Sequence, residues 1–300
     1  MPHTPPSSHT QTLHAASLVI LGYCGYSVAD LCSKIMLEYY SIYQILGVSS
    51  LIGLIATSAW LLIGHGKKSF LPAKMKLHLL RAVFVTGVGF FMVSALRTLP
   101  LADFYGIVFI MPFIVMILAI LLLGEKVGWR RWGAALVGFS GIIVLAGPQF
   151  EQIGEGVFFA LLGALCAALN IILLRKIGSG EPAPLYGVFP FLLSTLFNLS
   201  VLFMLGDFKP YQIEHLVYVF VHGGVLVLGI VYLSKGFSLA PETAIVAPLH
   251  YTQIIWGVLF GWIFYNVVPT ATTMTGVAMV IAAGLYSIRR DYKIKHSEPR

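Results

Sequence analysis

Charged and strongly polar side chains stand inside stretches that are otherwise apolar, and these are the places where chemistry could occur. The run from residue 14 to 37 carries Tyr23, Ser27, Asp30, Lys34 and Glu38. At helical spacing these share one stripe. Asp30 and Lys34 stand four apart and can pair as a structural ion pair. Asp30 can instead hold a substrate amine or carry a coupling proton. An ionised side chain at the centre of a bilayer costs roughly 2.5–3.5 kcal/mol on insertion scales, so each such charge needs a reason to be there.

Further candidates follow along the chain. Phe90, Ser94 and Arg97 share a face in the third apolar run, and Asp103, Tyr105 and Phe109 open the fourth. Arg97 and Asp103 can close an outer gate by pairing, or each can snorkel to headgroups. Lys235 and Glu242 offer the same two readings at the inner ends of the eighth and ninth runs. The ninth run presents Thr243, His250 and Gln253 on one stripe, flanked by Tyr251 and Trp256. His250 either contacts a ligand or is satisfied by a neighbour in the core. His222 has weaker grounds. Asn170 ends a face of small residues (Gly156, Ala160, Gly163, Ala167) that suits close helix packing; it either reaches a cavity or bonds a carbonyl. Tyr23, Phe90, Tyr105, Phe109, Tyr232, Tyr251 and Trp256 can wall a cavity whose few polar groups fix a ligand's orientation. Pro112 and Pro248 interrupt the fourth and ninth runs and free a carbonyl in each. Glu125, with Lys126, Arg130 and Arg131, reads as a solvated hinge and topology anchor.

The elements that must position these groups are membrane spans. The 300 residues are 58% hydrophobic and 10% charged, with a mean hydropathy of +0.88. A water-soluble domain of that length needs a charged shell that these residues cannot make. Ten apolar runs, at roughly 14–37, 41–63, 77–97, 101–123, 129–147, 155–175, 184–206, 215–238, 243–265 and 270–288, each approach the length of a bilayer-crossing helix. Residues 1–13 are polar and Pro-rich and read as a disordered cytoplasmic tail; residues 289–300 read as a basic cytoplasmic tail. With both termini in the cytoplasm, all but three (Lys34, Arg97, Lys209) of the 19 Lys and Arg residues fall on the inner side. That is the bias of cytoplasmic loops toward positive charge. It also accounts for the net charge of +7 without nucleic acid, because the basic residues lie in loops and tail rather than on one face.

The chain reads as internally repeated. PLADFYGIVFIMPFIVMILAILLLGEKVGWRRWGAALVGFSGIIVLAG and APETAIVAPLHYTQIIWGVLFGWIFYNVVPTATTMTGVAMVIAAGLYSI each give a helix, a short turn and a Gly/Ala-rich helix. Five spans per half is an odd number, so the halves, 14–147 and 155–288, insert with opposite orientation. The fold class is therefore all-α integral membrane: ten transmembrane helices as two inverted five-helix repeats, with a binding site expected between them near the midplane.

At these residues the chain resembles the EamA-type repeat of the drug/metabolite transporter superfamily. The first-half motif runs ALRTLPLADFYGIVFIMPFIVMILAILLLGEKVGWRRWGAALVGFSGIIVLAGP, and the second half carries Tyr251-Thr252-Gln253 and GVAMVIAAGLYSI. Where the family has a Gly-Glu pair after the ninth span, this chain has Asn266 and Val267. The resemblance implies a ten-helix plasma-membrane carrier (a bacterial inner-membrane protein) that moves amino acids, vitamins, nucleotide-like compounds or other metabolites by alternating access. The ALRTLPLAD and GEKVGWRRW wording is similar to a proteobacterial subgroup with riboflavin and S-adenosylmethionine importers.

The expected partners are a small-molecule substrate and the lipid bilayer, with protons a candidate coupling ion, and oligomeric state is left open. No Walker motif is present, so ATP does not drive the step directly. No cofactor, metal site or catalytic residue is expected, since the chain has neither HExxH nor a Cys/His cluster. Cys24, Cys32 and Cys166 lie inside apolar runs as small core residues. An intramembrane enzyme would need a nucleophile–base set that the sequence does not offer. A non-transporting receptor or structural protein would not require polar stripes in both halves.

Overall fold

A computed structural model describes residues 8–99, 101–129 and 154–266, with isolated positions between 132 and 140 and between 271 and 282. All regular structure among the described residues is helical. In chain order it comprises α1 (Ser8–Met36), α2 (Ile42–His65), a 3-10 turn (Lys67–Phe70), α3 (Met75–Thr98), α4 (Leu101–Val108) and α5 (Met111–Leu123). After these come α6 (Glu155–Ile177), α7 (Leu185–Leu205), α8 (Ile213–Leu239), α9 (Thr243–Val246), a 3-10 helix (Ala247–Thr252) and α10 (Gln253–Tyr265). Among the described residues, seven stretches are long and apolar enough to cross a bilayer, with Phe104–Leu123 counting as one. The expected runs 129–147 and 270–288 and the C-terminal tail lie outside the described residues, apart from isolated positions in the two runs, as does most of the N-terminal tail.

Large apolar side chains cover the outside. Ile63, Leu121, Phe203 and Met204 are strongly exposed, which water would penalise and lipid would not. Helix ends are set locally. Ser41 Oγ caps α2 by accepting from the Gln44 amide at 3.3 Å. Gly66, at φ 77°, stops the same helix with its N–H on the Leu62 carbonyl.

The interior is organised by three antiparallel helix pairs: α1 with α8, α2 with α7, and α3 with α6. Small residues line each seam. Gly22 faces Leu233 and Gly25 faces Gly229; Gly47 meets Leu199 while Gly53 meets Phe191; Gly87 meets Cys166 while Gly163 meets Met92. The small-residue face read from Gly156 to Ala167 does pack against α3 at Gly156 and Gly163. Without a hydrophobic force between helices in lipid, such close approach supplies much of the association energy.

Two spans are broken where proline was expected to bend them. The first stops at Val108 and resumes at Met111, with Pro112 in the first turn of α5. The second passes from α9 through the 3-10 helix, with Pro248 in its first turn, into α10. The breaks meet: the Phe109 ring lies 5.2 Å from that of His250 and 5.6 Å from that of Tyr251.

A Cβ on Gly22 would lie 2.6 Å from Leu233 Cγ and 2.9 Å from the Leu233 backbone nitrogen. Gly22→Ala is therefore expected to destabilise by about 1–3 kcal/mol through overpacking, seen as a lowered melting temperature in detergent. Gly224→Ala, with nothing within 4 Å, should leave it unchanged.

Candidate functional site

Where the helix pairs and the two breaks converge they bound a cavity with about 1210 Å³ of empty space, open solvent at its mouth included. Each long helix contributes to its wall, as do α4, α5, the 3-10 helix and α10. The wall is mostly apolar, and it carries two charged groups of opposite sign, Asp30 and Arg81.

Arg81 belongs to α3, two turns in from its start, and its relative exposure is 0%. Its Nε donates to Asn170 Oδ1 at 2.8 Å. One terminal nitrogen donates to the Tyr186 carbonyl at 2.5 Å, and the other to Ser234 Oγ at 2.8 Å. Its guanidinium also lies 5.8 Å from the centroid of the Tyr186 ring, within cation–π range. One side chain thus ties α3 to α6, α7 and α8 through neutral acceptors. Sequence reading grouped Arg81 with the topology-setting inner charges. The signal it missed is that Arg81 lies inside the apolar run 77–97, with Asn170 and Ser234 inside two other runs.

Asp30, on α1, accepts a hydrogen bond from Tyr105 on α4 at 3.0 Å. Lys34, one turn further along, donates to the Leu96 and Leu99 carbonyls at 2.7 and 3.1 Å and so caps the end of α3. The structure gives these two charges separate partners, so of the two readings of Asp30 the structural Asp30–Lys34 pair is not how either is satisfied. Tyr23 lies about two turns before Asp30, its ring 4.8 Å from that of His250. The Tyr23 hydroxyl and His250 Nδ1 are buried and have no hydrogen-bond partner among the described residues. Buried polar atoms are ordinarily paired, so these two are available to a ligand or to water. His222 also lines the cavity, but both its ring nitrogens are engaged, with Ser33 Oγ at 2.9 Å and Ser49 Oγ at 2.6 Å.

Residues 13–147 and again 154–289 match the EamA-like transporter family. The chain belongs to this family. It is a multi-pass membrane protein. An S-adenosylmethionine uptake transporter of Rickettsia prowazekii is 25% identical over 238 residues, covering 78% of this chain and 79% of its own length. A riboflavin transporter of Rhizobium johnstonii is 26% identical over 201 residues, covering 67% and 66%. A pseudopaline exporter of Pseudomonas aeruginosa is 27% identical over 191 residues, covering 63% and 66%. A crystal structure of another protein superposes with a TM-score of 0.73 at 16% identity, over 96% of this chain and 99% of that one, so the fold is shared.

In this EamA-like protein the expected cavity residues divide into layers. Tyr23, Asp30, Tyr105, Asn170, His250 and Gln253 line the cavity. Ser27 and Phe109 are buried and do not line it, Phe109 stacking on Tyr105 with centroids 5.7 Å apart. The others point elsewhere. Phe90 joins Tyr43 and Phe197 in an aromatic group between helices, and Ser94 Oγ turns back onto the Phe90 carbonyl at 2.6 Å. Tyr232 packs on the group that contains Phe191. Tyr251 is fully buried, its hydroxyl donating to the Ala135 carbonyl at 3.3 Å, and Trp256 stands against Phe260. An i, i+4 stripe establishes which residues share a face; the neighbouring helices decide what that face meets.

Of the residues read as gates, Arg97 and Lys235 have described side-chain surroundings. Arg97 is exposed, and the side chain of Asp103 lies outside the described residues. Lys235 donates to the Ser179 and Glu181 carbonyls at 3.0 and 2.5 Å, and Glu242 immediately precedes α9. Among the described residues, Glu125 pairs with Arg175 across spans at 3.7 Å. Glu125 Oε1 also accepts from the Thr243 amide at 3.0 Å and the Thr243 hydroxyl at 2.8 Å. Arg175 donates in addition to the Ala240 and Pro241 carbonyls. The Glu125 side chain is only 9% exposed, which corrects its reading as a solvated anchor: it ties the end of α5 to the end of α6 and the start of α9.

Glu125→Ala should leave the Thr243 donors unmatched, at a cost of about 1–3 kcal/mol. The expected readouts are a lowered melting temperature and faster hydrogen exchange across residues 243–246.

Proposed function

We propose that this chain is a secondary carrier that moves a small organic metabolite across the membrane by alternating access. In this reading it is built as two inverted five-helix halves, with both termini cytoplasmic. The observation that carries the reading is a cavity bounded by elements of both halves and holding two charges, Asp30 and Arg81, in a mostly apolar wall. Ligand sites of carriers take this form, at the junction of repeats and beside discontinuous helices.

Helix packing supports the inverted arrangement. Exchanging α1, α2 and α3 for α6, α7 and α8 turns the α1–α8 pair into the α6–α3 pair and returns the α2–α7 pair to itself. The two broken spans exchange as well. The two family matches, one per half, support the same division. Relatives named for S-adenosylmethionine, riboflavin and pseudopaline support an organic metabolite as cargo.

Asp30 is the proposed site of proton coupling. It lines the cavity and, among the described residues, its recorded hydrogen bond is the one from Tyr105. A carboxyl group there can take a proton from one side and release it to the other as the cavity changes access.

Uptake into proteoliposomes, screened over amino acids, vitamins and nucleotide-like metabolites, tests the carrier reading; no flux of any of them would reject it. For a transported compound, Asp30→Asn should abolish the dependence of uptake on an imposed pH gradient while leaving the melting temperature within a few degrees. Unchanged proton dependence would remove Asp30 from the coupling role. Reporter tags at the two ends are expected to read out from the same side of the membrane.

A further inference from the structure

We propose that the cavity is built for an extended dipolar metabolite, with a carboxylate held by Arg81 and a cationic or strongly donating group held by Asp30. The inference rests on the carrier reading and names the class of substrate.

Arg81 carries five N–H donors in a planar fork. Three of its hydrogen bonds are accounted for, and all go to neutral acceptors. A buried guanidinium with no anionic partner is costly, and a carboxylate is the group its fork matches best. Asp30 has the complementary deficit. Tyr105 donates to one of its oxygens, and the neighbouring ammonium of Lys34 is committed to backbone carbonyls of α3. Two opposite charges therefore face one cavity, each hydrogen-bonded by neutral groups and neither bonded to the other.

Their separation limits the ligand. In the antiparallel α1–α8 seam Gly22 lies against Leu233, so Ser234, the partner of Arg81, is level with about Gly22. Asp30 is eight residues further along α1, roughly 12 Å at 1.5 Å per residue. The adjacent ammonium and carboxylate of a simple α-amino acid cannot reach both groups. A longer molecule can, with its body along Tyr26 and Tyr23 on the same helix. The unpaired Tyr23 hydroxyl and His250 Nδ1 then offer polar contacts part-way along.

Chemically simple probes test this directly: unbranched ω-aminocarboxylates of increasing methylene number, titrated against the full chain in detergent or nanodiscs by calorimetry. Affinity is expected to rise from the α-amino member to an optimum at intermediate length. N-acetylation or methyl esterification of the best member should each weaken binding about tenfold or more, the loss of one charge-assisted hydrogen bond. In Asp30→Asn the N-acetyl compound should bind as well as the free amine. Arg81→Gln should likewise stop discriminating acid from ester. If Arg81→Gln fails to fold, Arg81→Lys keeps the charge but loses the fork, and should bind the acid several-fold more weakly while leaving the ester unchanged.

Equal affinity for the α-amino and longer members, equal affinity for capped and free ends, or no binding at any length would overturn the proposal. Because binding is read without flux, the two readings separate. Proteoliposomes that accumulate a metabolite while these preferences are absent leave the carrier and remove the dipolar ligand. Preferences without flux of any compound do the reverse.

Discussion

A guanidinium buried inside a lipid-embedded bundle needs hydrogen-bond partners from the protein, and Arg81 finds three of them on three helices at once. Lipid offers a buried donor no hydrogen bond, so the Asn170 side chain, the Tyr186 carbonyl and the Ser234 hydroxyl have to arrive together. Their arrival fixes how α6, α7 and α8 stand around α3. The glycine-lined seams permit that convergence, because helices carrying larger side chains there could not come close enough. The cavity is the space left inside once these contacts are made.

The same rule operates at both ends of the bundle. Lys34 caps the carbonyls that end α3, Lys74 does the same for α6 through the Lys176 and Ile177 carbonyls, and Arg175 reaches those between α8 and α9. Helix C-termini leave carbonyls unsatisfied and carry partial negative charge. Basic side chains from a neighbouring span meet both needs. Many charges that hydropathy alone would class as loop residues are thus structural clamps between spans.

Much of the fold was legible in the sequence because its causes are local. Run length and apolarity identify spans, proline marks the two breaks at Pro112 and Pro248, and small residues at helical spacing mark the seam along α6. Asp30, His250 and Asn170 stood out because polar groups are rare in such runs, and they do line the cavity. Phe90, Tyr232 and Trp256 were misplaced because an aromatic ring in a membrane helix can face lipid, a neighbour or a cavity, and its spacing is the same in each case. Arg81 and Glu125 were misread for a different reason. Each stands near the end of an apolar run, where a charge usually serves orientation, and the partners that bury them come from spans more than 40 residues away in sequence.

The contact between the two interrupted spans constrains how the molecule can move. The Phe109 ring lies in one break and is wedged against His250 and Tyr251 in the other. Interiors packed this densely transmit displacement from side chain to side chain. A change of angle at either interruption therefore moves a ring that lies against the other, and the two joints share one contact surface.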